Sequence, residues 1–267
     1  MSTEETGTVN SEEMDLLRAQ GIDPSKKDQI QILRPDWDIP GVDAGFTLRT
    51  GGVSKPPYDS LNLAMHVGDD PDDVRENRRR LVEHAGLPEE PRWLKQVHGN
   101  RVVHASEVER DVTEADAVWT DQPGQVCAVL VADCVPILLA AKDGSCVAAI
   151  HAGWRGLAAG AIERTAETLL VPPSTLAACI GPTIGAGAYE VGPKVVEDVR
   201  AASAGAVVKN RHLDLIATAK AQLTRSGIKA LIFLPDTCTF TYPTDFYSHR
   251  KAARTGRFAA FIQSLSG

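Results

Sequence analysis

The sequence predicts a single layered α/β domain, with a mixed β-sheet core and helices packed outside. Three observations predict it. Three short apolar runs, Val126–Ala132, Val135–Ala141 and Cys146–Ile150, follow one another as strands covered on both faces do. Segments with helical period and matching caps alternate with further short apolar runs along the rest of the chain. The 267 residues, 43% hydrophobic and 24% charged, are enough for one large core.

Composition narrows the partners. A net charge of −7 without a long basic run argues against nucleic acid and anionic membranes. No apolar run is both long enough and charge-free enough to span a bilayer. The acidic, Ser/Thr-rich N-terminus does not read as a secretory signal. Five cysteines without framework spacing suit a reducing, cytoplasmic setting. A monomer is the expected state.

Residues 1–28 carry few apolar side chains and read as a loosely held extension, with a helical turn or two at 11–20. Residues 29–267 read as one domain, without repeats or a dividing linker. Ala44–Arg49 has a strand pattern and is followed by a Gly51-Gly52 turn. That turn beside Arg49 has two readings: an oxyanion clamp, or a β-turn next to an exposed arginine. Asp70 caps a helix with Pro71 at its first position, Val74, Leu81 and Ala85 on one face, and Gly86 as its stop. Arg78, Arg79 and Arg80 read as a mostly solvated face of that helix. Trp93–Val97 and Arg101–Val103 read as short strands around His98-Gly-Asn. Lys142–Ser145 reads as a hairpin turn inside the central block. One helix is expected after His151, with Ala158, Ile162, Ala166 and Leu169 on its apolar face. Thr175–Ile180 and Leu231–Leu234 read as strands, Pro193 opens a helix, and Asp214 caps another that stops at Gly227. Cys238–Phe246 reads as irregular and Phe258–Ile262 as a closing strand.

Polar residues interrupt the central apolar block twice, at Asp133-Cys134 and at His151. A carboxylate inside a buried strand costs several kcal/mol unless it is paired, because it loses its hydration, so this block is a site candidate. Cys134 could be a nucleophile with His151 as its base, although the adjacent Asp133 charge opposes thiolate formation. It could equally be a metal ligand, with His151 and His98 completing a three-ligand set that leaves one position open. It could also be a buried apolar thiol beside incidental histidines, since no close-spaced ligand pair occurs.

The segments Lys95-Gln-Val-His98-Gly, Ala132-Asp-Cys134-Val-Pro and His151-Ala-Gly-Trp-Arg-Gly156 closely resemble the laccase-domain family. That family also goes by polyphenol oxidase, peptidoglycan editing factor and purine nucleoside phosphorylase. The resemblance continues through Arg49–Ser54, Leu61-Asn-Leu, Gly181–Gly185, Tyr189–Gly192, His212–Leu215, Cys238-Thr and Thr255-Gly-Arg257, in order over about residues 40–265. It implies that His98, Cys134 and His151 bind zinc, and that adenosine, inosine, guanosine and methylthioadenosine undergo phosphorolysis. Deamination of adenosine at the same site is also implied. Arg49, Asn62 and Arg155 are then the expected substrate or phosphate ligands. Asp133 or Glu190 is the expected proton shuttle. Two cysteines common in the family before the Tyr-Glu pair are replaced here by Gly187 and Ala188. A Tyr-Arg-Arg run common near the C-terminus stands here as His249-Arg250-Lys251, so Lys251 would meet phosphate as a point charge.

Three rivals remain. A copper polyphenol oxidase would need many paired histidines, whereas the chain has seven and no His-x-His pair. A cysteine amidase editing peptidoglycan precursors would use Cys134 and His151 without a metal. A structural zinc protein would need a fourth ligand, for which Cys238 is the candidate.

Overall fold

The computed structural model describes residues 23, 25–202, 206–234 and 237–265. Most of the expected extension at residues 1–28, including the turns read at 11–20, lies outside the described residues. In chain order the strands are β1 Ile32–Leu33, β2 Val42–Thr47, β3 Val102–His104, β4 Ala117–Thr120, β5 Val126–Val131 and β6 Val135–Ala141. They continue with β7 Val147–Ala152, β8 Leu176–Ile180, β9 Val207–Lys209, β10 His212–Asp214, β11 Ala230–Phe233 and β12 Phe258–Ser264. The helices are α1 Pro71–Ala85, α2 Trp154–Ala158, α3 Ala161–Thr168, α4 Pro193–Ala202 and α5 Leu215–Arg225.

The apolar core is split between two stacked sheets rather than built on one. β1-β2-β12-β5 form an antiparallel sheet, and β11-β8-β6-β7-β4-β3 form a mixed one. In the mixed sheet β11 with β8 and β3 with β4 are parallel, and the remaining neighbours are antiparallel. Strand alternation assigns each side chain to a layer. Leu138 and Ala140 of β6 pack between the sheets with Phe46, Val129 and Ile262. Ile137, Leu139 and Ala141 face the opposite way, onto Leu157, Ile162, Val199 and Leu223 of α2 to α5. On the far side of the smaller sheet, Leu81 of α1 packs with Trp93, Ala128, Leu130 and Phe261. Both faces of β5, β6 and β7 are therefore covered, which is why their sequences are continuously apolar.

Several expectations change in detail. The helix expected after His151 is two helices, because Gly160 takes a left-handed φ of 77° between them. Trp93–Val97 forms no ladder; within it only Lys95 makes an isolated bridge, to Glu114, while Arg92 just before it bridges Cys127. Arg78 is buried rather than solvated. Its guanidinium donates to Asp111 at 2.6 and 2.8 Å and to the Leu63 carbonyl at 2.9 Å, and it lies over the Trp93 ring. A buried guanidinium is tolerated when its donors are met in this way. Arg79 and Arg80 pair with Glu76 on the surface, as expected of that face.

Candidate active site

Cys134 sits in the turn between β5 and β6. Asp133 bends that turn with φ of 85°, a backbone state that a non-glycine residue keeps only when its surroundings hold it. Asp133 Oδ1 accepts the Thr239 hydroxyl at 2.7 Å and Oδ2 accepts the Arg250 backbone N–H at 2.6 Å. Its carbonyl accepts the Thr183 hydroxyl at 2.7 Å and the Ile184 N–H at 3.0 Å. The carboxylate that interrupts the apolar run is thus fully partnered, and it fixes the turn that presents Cys134.

His151 lies near the end of β7. Pairing of Val135 with Ala152 and of Pro136 with His151 carries Cys134 to that same end. His98 reaches the site from a loop, at φ of 61°. The backbone N–H groups of Val97, His98 and Gly99 converge on the Asp116 carboxylate at 3.2, 2.9 and 2.6 Å. His151 Nδ1 lies 2.8 Å from Asp116 Oδ1. This contact commits Nδ1 and leaves Nε2 for the cluster.

The ligand atoms of His98, Cys134 and His151 lie within 4.8 Å of one another. The two imidazoles are 4.9 Å apart and nearly perpendicular. Gly153 leaves the space this needs, since a Cβ there would fall 2.7 Å from Cys134 Sγ and 3.5 Å from His98 Cδ2. One thiol and two imidazoles opening onto a cavity match the donor set of a three-ligand metal site with a free position. Cys238 does not join them; its sulfur accepts the Gly185 N–H at 3.1 Å.

Charge reinforces this grouping. Burial pushes the Cys134 thiol up, but the His151 charge and hydrogen bonds from both histidines outweigh it and bring the thiol to about 6. Burial pulls His151 down, yet the Cys134 thiolate and Asp116 raise it to about 9. Burial likewise opposes ionisation of Asp116, but the His151 ring and the loop N–H donors hold its carboxyl below the usual range. Each group thus favours the charged form of the other.

The cluster opens into a cavity of about 280 Å3, close to the roughly 300 Å3 lower end for ligand pockets. Asp133 and three arginines, Arg155, Arg250 and Arg257, line it together with His98, Cys134 and His151. Aromatic walls come from Trp154, with Arg155 over its ring at 4.4 Å, and Tyr189, with Arg250 over its ring at 4.9 Å. Burial and the Cys134 charge push the Tyr189 phenol up to about 12, so it stays a neutral donor. Desolvation and then the Arg257 charge lower His66, which also lines the cavity.

His98, Cys134, His151, Asp133 and Arg155 thus meet as the sequence proposed. Three other expected residues do not reach the cavity. Arg49 is spent elsewhere: it donates to the Asp59 and Pro243 carbonyls, pairs with the Asp59 carboxylate and lies over the Tyr247 ring. Asn62 is fully buried, bonded to Ala64 and Asp69, and its Oδ1 accepts the Arg257 backbone N–H at 2.9 Å. It positions a cavity residue without lining the cavity. Glu190 is exposed, paired with Arg211 and outside the cavity lining. Lys251 also misses the cavity, its amine resting near the Phe240 carbonyl, while Arg250 beside it enters. Sequence reasoning missed Asp116, His66, Gln96, Tyr189, His249, Arg250 and Arg257 as site residues. Tyr189 and Arg257 sat in family-like segments, but only the fold shows what they face.

The fold and this centre define an α/β protein built on two stacked sheets, with a small β9-β10 pair beside them, and an open Cys/His/His cluster at the head of a cation-lined cavity. The family model described as multi-copper polyphenol oxidoreductase laccase matches residues 43–264, and the chain belongs to that family. A protein of Escherichia coli strain K12 named purine nucleoside phosphorylase YfiH is 44% identical over 239 residues, spanning 87% of this chain and 98% of that protein. A Pseudomonas aeruginosa protein, also named purine nucleoside phosphorylase, is 44% identical over 239 residues, spanning 86% and 97%. Among solved structures, a Neisseria meningitidis protein matches with a TM-score of 0.80 at 38% identity, covering 88% of this chain and 99% of its own. YlmD from Geobacillus stearothermophilus matches with a TM-score of 0.82 at 32% identity, covering 88% and 96%. No helix among the described residues is long and apolar enough to cross a membrane.

Proposed function

We propose that the protein is a zinc-dependent purine nucleoside phosphorylase that also deaminates adenosine. Its substrates are adenosine, inosine, guanosine and methylthioadenosine, with phosphate as the second reactant. The observation that carries this reading is the Cys/His/His cluster opening onto a cavity lined by three arginines. The names of the relatives support it. Small molecules are the partners in this reading, with no nucleic acid or membrane and a monomeric, cytoplasmic protein; five free thiols fit a reducing compartment.

His98, Cys134 and His151 would hold the metal. Zinc bound there would supply a Lewis acid and, for deamination, an activated water. Zinc is favoured over copper because the set leaves an open position and the chain lacks the paired histidines of multicopper chemistry. Arg155, Arg250 and Arg257 attract phosphate and neutralise its charge as it approaches the ribose. Trp154 and Tyr189 offer aromatic faces to the purine, and Tyr189 adds a neutral hydroxyl donor. Both expected carboxylate shuttles are unsuited, since Asp133 is held by two donors and Glu190 lies outside. Proton transfer to the leaving purine is assigned to a cavity imidazole, His66 or His249.

One observation favours a second reading. Cys134, His151 and Asp116 form a thiol–imidazole–carboxylate series of the kind cysteine hydrolases use, which keeps a metal-free amidase acting on peptidoglycan precursors in view. The discriminating experiment follows base release from each of the four nucleosides with and without phosphate. Phosphate-dependent release supports the phosphorylase. Release from none of them, with hydrolysis of a peptidoglycan-type amide instead, supports the rival.

A further inference from the structure

We infer that Asp116 is a positioning residue that holds both histidines of the metal centre through one buried carboxylate. The inference rests on His98, Cys134 and His151 being metal ligands and adds a residue outside that set. Asp116 is fully buried and does not line the cavity, so it acts through its neighbours rather than on substrate. Oδ1 meets His151 Nδ1 at 2.8 Å and the His98 N–H at 2.9 Å. Oδ2 accepts the Gly99 N–H at 2.6 Å and the Val97 N–H at 3.2 Å. The main chain of Asp116 is anchored as well: its carbonyl accepts the His151 N–H at 2.7 Å and its N–H donates to Arg101 at 3.1 Å.

Two ligands are thereby fixed in different ways. His151 is held by its side chain, which sets the tautomer and leaves Nε2 for the metal. His98 is held by its backbone, because three successive N–H groups close around an anion and stabilise a loop whose central residue has φ of 61°. Loss of the carboxylate would leave those donors unpaired and free the His98 loop.

The test compares the wild-type chain with Asp116→Asn, which keeps the shape but turns an amide NH2 toward groups that need an acceptor. Zinc affinity, read by competition with a chromophoric chelator, is expected to fall about 10–100-fold. Amide exchange at Val97, His98 and Gly99 is expected to accelerate beyond the rest of the chain, which separates positioning from general destabilisation. If Asp116→Asn does not fold, long-range 1H–15N spectra of zinc-loaded wild type decide, with the His151 proton expected on Nδ1. Unchanged zinc affinity in a folded variant, or the His151 proton on Nε2, overturns the inference alone. Wild-type protein that takes no zinc overturns the ligand reading and this inference with it.

Discussion

Gly153 is the residue on which the metal centre is most narrowly built, because any Cβ there meets the Cys134 sulfur at 2.7 Å. If the cluster holds zinc as proposed, Gly153→Ala should leave a folded protein that binds much less of it, as metal analysis beside a circular dichroism melt would show. Cys134 gives a pH signature in the metal-free protein. Its thiol is lowered to about 6, so the thiolate forms as pH rises through that value. Alkylation should therefore level off above about pH 7, where an ordinary thiol of pKa about 8.5 is still gaining reactivity. A rate that climbs steadily to pH 9 would show that His98 and His151 do not stabilise the thiolate. On the proposed function, Arg257→Gln should raise the KM for phosphate about tenfold or more, the scale of a lost charged hydrogen bond, with less effect on the proposed deamination. Arg49→Ala should instead lower both proposed activities together through stability. That His98, Cys134, His151, Asp133 and Arg155 share one site was legible because they sit in dense, family-like segments of the chain. Asp116 was not, since one aspartate before an apolar strand looks like any turn residue until the fold brings it beneath His98 and His151.

Elements bounded by local chemistry were the most legible. Asp70 accepts the Asp72 N–H and Gly86 ends α1 at φ of 63°, as the cap, Pro71 and glycine stop indicate. Asp214 caps α5 in the same way, accepting the Ala217 N–H at 2.8 Å. Elements set by distant contacts were less legible. Nothing local says that Arg78 alone, among three consecutive arginines, meets Asp111 and Trp93, since that depends on a loop 33 residues away. Arg78→Ala should cost about 1–3 kcal/mol by leaving the Leu63 carbonyl without its donor and the partly buried Asp111 carboxylate without its partner, read as a lower denaturant midpoint. Arg79→Ala, on the solvated face of the same helix, should leave that midpoint in place. Equal effects of the two would contradict the burial that separates them.

Over the whole molecule, continuous apolar runs announced strands covered on both faces, but not whether sheet or helix does the covering. The answer is both: a second sheet lies on one side of β6 and β7, and helices lie on the other. This stacking brings the Cys134 turn and the end of β7 together, while the less regular segments around residues 66, 98, 189 and 250 close the cavity around them. The central claim is that this framework exists to hold a catalytic zinc. The most direct test measures metal content and nucleoside turnover together, in wild type before and after chelation and in His98→Ala. The account predicts one zinc per chain in wild type, with zinc and turnover both lost in His98→Ala and on chelation, and both restored to the chelated wild type by zinc. A cysteine hydrolase built on Cys134, His151 and Asp116 needs neither His98 nor a metal. Full nucleoside turnover in verified metal-free protein would contradict the account.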